Sequence, residues 1–567
     1  MADRDEPNRD PFSRAAVKQL LTLAALCAAG FVVLLALLGW AASVTGGGAS
    51  ARRAVDVEAR TLTTSIRNEP PNLDSTRATD QQSIMLLGHV IEGLLRYDRN
   101  ANLVPGVAER WDVRPTGATF WLRADARWSD GQPVKAQDFV FGWRTAVDPA
   151  TASQYAFILF PVKNGEAINS GKLPPEQLGV RAVDDRTLEV EFENPIAYFD
   201  KLVAAQTYLP VREDFYRSRE GRYGADAGDL LYNGPFRIAS WVHGANIKLV
   251  KNEQYWNRDA VQLNALEIGY ITRDAQARMN LYRDGRVADV DYLPGEAIES
   301  VLKDRSPLHR YAEGSMWMVI LNFRSGRATG NLHLRRALQL VNDQSELVYR
   351  VLKTPSYSVA ESLFPSYIKG EHGPFRLEHP PPRVTLDLTA AREELALAKR
   401  ELGVTELPPL TLLADDLPAA VTHSQYLQEY LRRTLGLTIK IDLQDFRNRL
   451  AKQNAGEFDL SIYGWSADYD DPLSFADLFA SWNLNNRGAY RGAALDAQVR
   501  IAQQSLEPRI RIAAFAEIQR ILIEDVVLLP AYERGVMYVQ DPRLKGVGRN
   551  SLGPVPDYTM AYLTTDR

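Results

Sequence analysis

The sequence predicts a mixed α/β protein of two or more lobes, preceded by one membrane-crossing helix. Three observations predict it. The chain has 567 residues, more than one ordinary core organises, so it must divide into lobes. Runs with a two-residue apolar period alternate with helical patterns along it, the mark of α/β architecture with mixed sheets. Residues 20–42 form an almost unbroken apolar run, LLTLAALCAAGFVVLLALLGWAA.

A helix of that length crosses a hydrocarbon core of roughly 30 Å. Arg4, Arg9, Arg14 and Lys18 precede it, and Arg52 and Arg53 follow beyond a Gly-rich stretch. This excess of cations keeps residues 1–19 in the cytoplasm and places the rest of the chain outside. The run exceeds the roughly 7–15-residue core of a signal peptide, which favours a retained signal anchor. Cleavage is the alternative, since Ala49, Ser50 and Ala51 make an A-x-A pattern. A lipoprotein is disfavoured. Cys27, the single cysteine, follows Leu26 inside the run and reads as a small hydrophobe. Residues 43–59 read as a flexible tether, with the folded part starting near Arg60.

Residues 61–67 (TLTTSIR) alternate polar and apolar, as a strand does. Residues 119–123 (TFWLR) and 187–193 (TLEVEFE) do the same. Residues 136–146 have helical spacing, and 419–435 form a longer amphipathic helix. A strand at 438–443 (TIKIDL), a helix at 445–453 and a strand at 458–463 (FDLSIY) follow. Residues 507–525 read as a helix leading into a strand at 526–529. Pro-rich 379–383 (HPPPR) and 407–410 (LPPL) mark loops. Neither is long enough for an interdomain linker, so strands crossing a hinge are expected to join the lobes.

Several function classes are disfavoured. A net charge of −5 argues against a nucleic-acid binder. One cysteine permits no intramolecular disulfide and no thiolate cluster. The seven histidines, His89, His243, His309, His333, His372, His379 and His423, are scattered without H-E-x-x-H spacing. Glu371-His372 and Glu378-His379 flank a Pro-rich loop and read as solvated. No G-x-S-x-G elbow occurs. Residues 165–172 (GEAINSGK) have one residue too many for a phosphate loop, and Leu173 replaces its Ser or Thr. No catalytic residue, metal or cofactor is expected, although a carboxylate-based site stays open.

Four stretches carry candidate recognition. The first joins 68–74 (NEPPNLD) to 89–97 (HVIEGLLRY). The second is 126–143 (ARWSDGQPVKAQDFVFGW), where Asp138 suits the start of a helix. The third is Tyr232-Asn233-Gly234-Pro235-Phe236 with Trp241, Lys251-Asn252 and Tyr255-Trp256-Asn257. Each of these also reads as scaffold. The fourth, 458–472 (FDLSIYGWSADYDDP), is the most suggestive. Its strand is expected to end at Tyr463, and Gly464 allows close backbone approach. Trp465 and Tyr469 flank Asp468, an acid able to hold a ligand ammonium by charge-assisted hydrogen bonds and cation–π contact. Asp471 precedes Pro472 and reads as an N-cap. Asp470 reads as solvated. The acids do not match a calcium loop.

Taken in this order, these stretches resemble the dipeptide/oligopeptide-binding proteins of ABC importers, from about Thr61 to the C-terminus. The most specific pieces are 105–111 (PGVAERW), 128–139 (WSDGQPVKAQDF), 232–236 (YNGPF) and 464–472 (GWSADYDDP). The resemblance implies a bilobal periplasmic-binding-protein clamshell of type II with an extra inserted domain. Lobe I would comprise 60–91, 216–314 and 535–567, the insert 92–215 and lobe II 315–534. It implies an extended peptide enclosed between lobes by pairing with protein strands. Asp468 would meet the peptide ammonium, Gly464 and Ser466 would supply backbone contacts, and Trp465 a wall. Tyr155 would contact the peptide main chain, although it also reads as a helix-face aromatic. The chain departs from some relatives at Ile462, where they carry an Arg, and at Lys452-Gln453-Asn454-Ala455-Gly456, where upstream basic residues are missing.

The implied function is substrate capture for an ABC permease and ATPase, by a monomer held at the periplasmic side of the inner membrane. The alternatives are a membrane-tethered peptide sensor or chaperone, a binder of a non-peptide solute, and a periplasmic hydrolase. The last needs acids facing each other across the cleft, and Asp468 and Asp470 are only two residues apart.

Overall fold

The computed structural model describes Thr22 and residues 53–304 and 307–565. Apart from Thr22, the expected membrane helix at 20–42, Cys27 and the A-x-A pattern lie outside the described residues. Among the described residues, no helix is long and apolar enough to cross a membrane.

The tether is shorter than expected. Val55–Asp56 is already a strand, paired antiparallel with Thr61 and Leu62. Ala54 and Val55 are each 2% exposed, so their burial draws the folded part back to about residue 54.

Three larger sheets, beside two of two strands each, organise the described residues. The five-stranded sheet runs Val55–Asp56, Thr61–Ile66, Ala265–Ile271, Asn246–Lys251, Phe236–Val242. Its Thr61–Ile66 and Ala265–Ile271 strands are parallel, and its other pairs antiparallel. Helix Gln81–Val90 supplies Leu86, Leu87 and Val90 to the core on this sheet. Asp80 caps that helix, accepting from the N–H groups of Gln82 and Ser83.

The four-stranded antiparallel sheet runs Ala108–Arg114, Gly117–Leu122, Thr187–Glu191, Val180–Asp184. Helix Ala136–Val147 packs on it through Phe139, Val140, Trp143, Ala146 and Val147, which share one face. Asp138, in the first turn, accepts from the backbone N–H of Lys135 and from Trp128 Nε1, both at 2.9 Å. The WSDGQPVKAQDF stretch is thereby scaffold. The YNGPF stretch is too. Asn233 exchanges two hydrogen bonds with the backbone of Glu92, and the Glu92 carboxylate accepts from Tyr255 and Trp256 at 2.6 Å.

The seven-stranded sheet has the order Asp289–Val290, Leu528–Gln540, Leu308–Leu321, Leu460–Trp465, Leu410–Asp415, Ile439–Gln444, with Ser358–Val359 also paired to Leu528–Gln540. Helix Pro418–Leu435 covers it, started by Pro418 and stopped by Gly436 at a φ of 68°. The strand expected at 526–529 is instead Leu528–Gln540. Pro530 and the charged Glu533-Arg534 pair interrupt its apolar pattern. The sheet accommodates Pro530 at a register shift opposite Met318.

The long strands Leu308–Leu321 and Leu528–Gln540 pair along most of their length. Their register shifts between Ala312 and Ser315, where Gly314 adopts a φ of 74°. Beside this bulge, Arg534 donates two hydrogen bonds to Glu313, one of 2.8 Å. Ser315 and Tyr292 also donate to Glu313. Burial opposes ionisation of Glu313, but Arg534 outweighs it and holds the carboxyl below its usual range. The Glu313 side chain is only 6% exposed and that of Arg534 13%. Glu313→Ala should therefore destabilise the protein by about 3–5 kcal/mol, because it strands a buried guanidinium. Denaturant melts of variant and wild type check this, and a loss below about 1 kcal/mol would show that solvent reaches Arg534.

Candidate functional site

The site is built where the strand Leu460–Trp465 ends. One edge pairs with Leu308–Leu321, placing Gly464 opposite Trp317 and Trp465 opposite Met316. The other edge pairs with Leu410–Asp415 only at Leu460 and Ser461. From Tyr463 onward, that edge has no ladder partner among the described residues. The strand runs two residues past the expected end at Tyr463. Gly464 stays within it because the Trp317 ring lies across its backbone. A Cβ there would stand 2.7 Å from Trp317 Cε2. The close approach expected at Gly464 is thus made first by a neighbouring strand.

Beyond Trp465 the chain makes a turn that is tied at many points. Ser474 holds its two ends together: its hydroxyl accepts from the Asp468 N–H at 2.8 Å, and its carbonyl from Trp465 Nε1 at 2.7 Å. The Asp471 carboxylate accepts from the Leu473 N–H at 3.1 Å, as a cap would. It also takes two N–H groups of Arg511, at 2.6 and 2.9 Å. Helix Leu473–Ala476 follows, with Pro472 rather than the expected Asp471 at its N-cap. The Asp470 side chain is exposed, as expected. Its backbone is not free: the N–H donates to Tyr97 and the carbonyl accepts from Lys201 Nζ at 2.7 Å. Tyr469 is buried and stacks on Tyr198, with ring centres 5.5 Å apart and planes 8° from parallel.

Asp468 is the centre of this turn. Its side-chain oxygen accepts from the Tyr155 hydroxyl at 3.2 Å, across 313 residues of chain. Tyr155 sits at the start of a short 3-10 turn, Ala156–Leu159. The surrounding protein raises the Asp468 carboxyl to about 7, against the smaller opposing effect of the Tyr155 bond. Burial and then the Asp468 charge push the Tyr155 hydroxyl up as well. Asp477, held by Asn483 at 3.1 Å, is raised to about 8, first by burial and then by Asp468. The site therefore concentrates negative charge in a place that resists it, and a cation entering there relieves both acids.

The structure brings Tyr155, Trp465, Asp468 and Tyr469 together around one turn, with Gly464 in the strand below. Ser466 follows that strand and is half-buried. Tyr97, the last residue of the first candidate stretch, also holds the turn, as do Ser474, Arg511, Tyr198 and Lys201, which no motif marked. Asp477 lies five residues beyond the end of the fourth candidate stretch and no motif pointed to it. Among the described residues, no group of three His, Cys, Asp or Glu side chains gathers as a metal site. A separate small recess is lined by Arg67, Gln81, Asp289, Asp291, Tyr292 and Tyr558 among others, and by none of the sequence-predicted site residues.

Residues 102–486 match the family model of the bacterial extracellular solute-binding proteins, family 5 Middle. The chain is 28% identical to the oligopeptide-binding protein OppA of Bacillus subtilis, over 87% of this chain and 91% of the relative. It is 30% identical to the probable deoxycholate-binding periplasmic protein YgiS of Escherichia coli, over 84% of this chain and 90% of the relative. Its fold superposes on that of Listeria monocytogenes OppA bound to peptide with a TM-score of 0.80, at 30% identity, covering 89% of this chain and 99% of that one.

The raised Asp468 carboxyl sets a pH dependence of known sign. In the unfolded chain the group ionises near 3.8, and in the fold near 7. The folded form therefore loses stability as pH rises through that window, and the loss is complete above it. Asp468→Asn removes the titration. Without added ligand, the variant should melt higher than wild type at about pH 8, with the gap closing at about pH 4. Parallel melting curves across that range would mean the carboxylate is well solvated.

Proposed function

This chain belongs to the bacterial extracellular solute-binding proteins of family 5, and we propose that it captures oligopeptides and delivers them to an ABC permease and ATPase. The observation that carries this reading is the Asp468 carboxylate, enclosed beside Tyr155 at the end of a strand whose outer edge is open. A peptide has the matching parts. Its ammonium supplies the cation that Asp468 lacks, and its backbone can pair with the edge from Tyr463 to Ser466. Trp465 and Tyr469 then flank the first residue. The names of the relatives fit, since one is an oligopeptide-binding protein and another was solved bound to peptide.

The lobes would follow the boundaries expected from the sequence, with the start of lobe I moved from 60 to about 54: 54–91, 216–314 and 535–567 in lobe I, 92–215 as its insert, and 315–534 in lobe II. The strands Leu308–Leu321 and Leu528–Gln540 cross that boundary at Gly314 and Arg534, so the Glu313 bulge would be the hinge. The Tyr155 to Asp468 bond then joins the insert to lobe II and reports a closed cleft. Capture involves no covalent step. Residues 20–42 would anchor the protein at the periplasmic side of the inner membrane, with 43–53 as tether. A hydrolase would need acids facing across the cleft, whereas Asp468 and Asp477 come from one segment of chain.

A second reading is a non-peptide solute, favoured by the 30% identity to a probable deoxycholate-binding protein. Deoxycholate carries a carboxylate and no ammonium, so it would not relieve Asp468. Thermal melting with peptides of two to six residues, and with deoxycholate, separates the two. A ligand at 100 times its dissociation constant adds about 2.7 kcal/mol. Free-amine peptides should raise the melting point of wild type, and both N-acetylation and Asp468→Asn should remove the effect. Stabilisation by deoxycholate and by no peptide would replace the first reading with the second.

A further inference from the structure

The short helix Phe199–Leu202 has Tyr198 at its N-cap. Tyr198 and Lys201 stand three positions apart and so share one face of it. That face meets the turn after Trp465. The Tyr198 ring stacks on that of Tyr469. The Arg511 guanidinium, already clamped on Asp471, lies 5.2 Å from the centre of the Tyr198 ring. Lys201 Nζ donates to the Asp470 carbonyl at 2.7 Å. Tyr97, the last residue of the strand Leu95–Tyr97, completes the contact. Its hydroxyl accepts from the Asp470 N–H at 3.2 Å and donates to the Lys201 carbonyl at 3.5 Å. Tyr97, Tyr198 and Tyr469 are all buried.

Two features set this contact apart from the Asp468 site. It is made wholly between protein groups: stacked rings, the backbone of Asp470 and a guanidinium that has its own carboxylate. It uses neither the Asp468 carboxylate nor the strand edge from Tyr463 to Ser466. It also joins the insert to lobe II on the boundaries given above, so parting the lobes breaks all of it together. Parting them carries two buried rings into water, and a stacked aromatic pair contributes beyond the apolar area it covers. A protein whose binding form is only partly populated loses apparent affinity by that fraction. Contacts that favour closure without touching the ligand therefore strengthen every ligand alike.

We propose that Tyr97, Tyr198 and Lys201 form a latch that favours the closed cleft and sets the strength of capture, while Asp468 sets its selectivity. The proposal rests on the lobe boundaries and the closing cleft of the reading above. It adds to that reading three positioning residues that act through the turn at Asp470 and read nothing of the ligand.

The test uses the full chain in detergent, as wild type, Lys201→Met, Tyr97→Phe and Tyr198→Ala, with cooperative melting to check that each folds. Without ligand, amide exchange at Asp470, followed by mass spectrometry, should be faster in Lys201→Met and Tyr198→Ala than in wild type. Both variants keep the Tyr97 hydroxyl, so faster exchange there means that the latch opens as a unit. Calorimetric titration with the alanine, leucine and lysine tripeptides should then show one common loss of affinity for each variant. The loss should be roughly twofold to tenfold for Lys201→Met and Tyr97→Phe, and larger for Tyr198→Ala. The order of preference among the three peptides should stay that of wild type. A loss that differs from peptide to peptide would show that these side chains read the ligand. Unchanged affinities would show that they do not favour closure. Either result overturns the latch and leaves the peptide reading intact. If wild type binds none of the peptides, the peptide reading is lost and the exchange rates decide the latch: faster exchange in the variants keeps it, and wild-type rates remove it too.

Discussion

A carboxylate enclosed by protein, with one phenol against it, is the constraint around which this site is arranged. Asp468 could shed its charge by taking a proton, and its raised affinity for one shows how near that outcome is. The structure instead fixes the group in position. Its backbone is tied to Ser474, Asp471 three residues on is clamped by Arg511, and the adjacent Tyr469 is stacked on Tyr198. On the proposed reading, a turn held this firmly would present its charge to a partner from outside. Much of the holding comes from residues 97–201, so the site is complete only when that part of the chain meets the seven-stranded sheet.

The frame under the site obeys the same physics with the opposite solution. Glu313 and Arg534 are both withdrawn from water, yet they meet each other directly and take further bonds from Ser315 and Tyr292. A satisfied buried pair stays charged and rigid, whereas a partly satisfied one waits for a ligand. On the proposed reading, that contrast would separate structural ions from recognition ions in this molecule. Asp471 with Arg511 and Asp415 with Arg449 belong with the first kind, and Asp468 with the second.

Much of the framework was legible in the sequence because it depends on local pattern. Helix Ala136–Val147 and helix Pro418–Leu435 follow their apolar spacing, and the strand at Thr61–Ile66 its alternation. What escaped depended on distant partners. Nothing near Gly464 announces the Trp317 ring that keeps it in a strand, and nothing near Glu533 announces the pairing that carries Leu528–Gln540 through a proline and two charges. Val55 was read as tether because two residues are too few to show a period. At the site, Asp468, Trp465 and Tyr469 could be picked out from the FDLSIYGWSADYDDP stretch, since acid and aromatics are adjacent in sequence. Tyr155 needed the family resemblance. Ser474, Arg511 and Tyr198 needed the fold.

The most direct measurement is a crystal structure of the protein with a bound free-amine peptide. The account predicts the peptide N-terminal nitrogen within about 2.7–3.2 Å of the Asp468 carboxylate, with the peptide backbone laid along the open edge beyond Tyr463. A peptide found with its ammonium in solvent, or paired with another acid while Asp468 keeps only Tyr155, would contradict it.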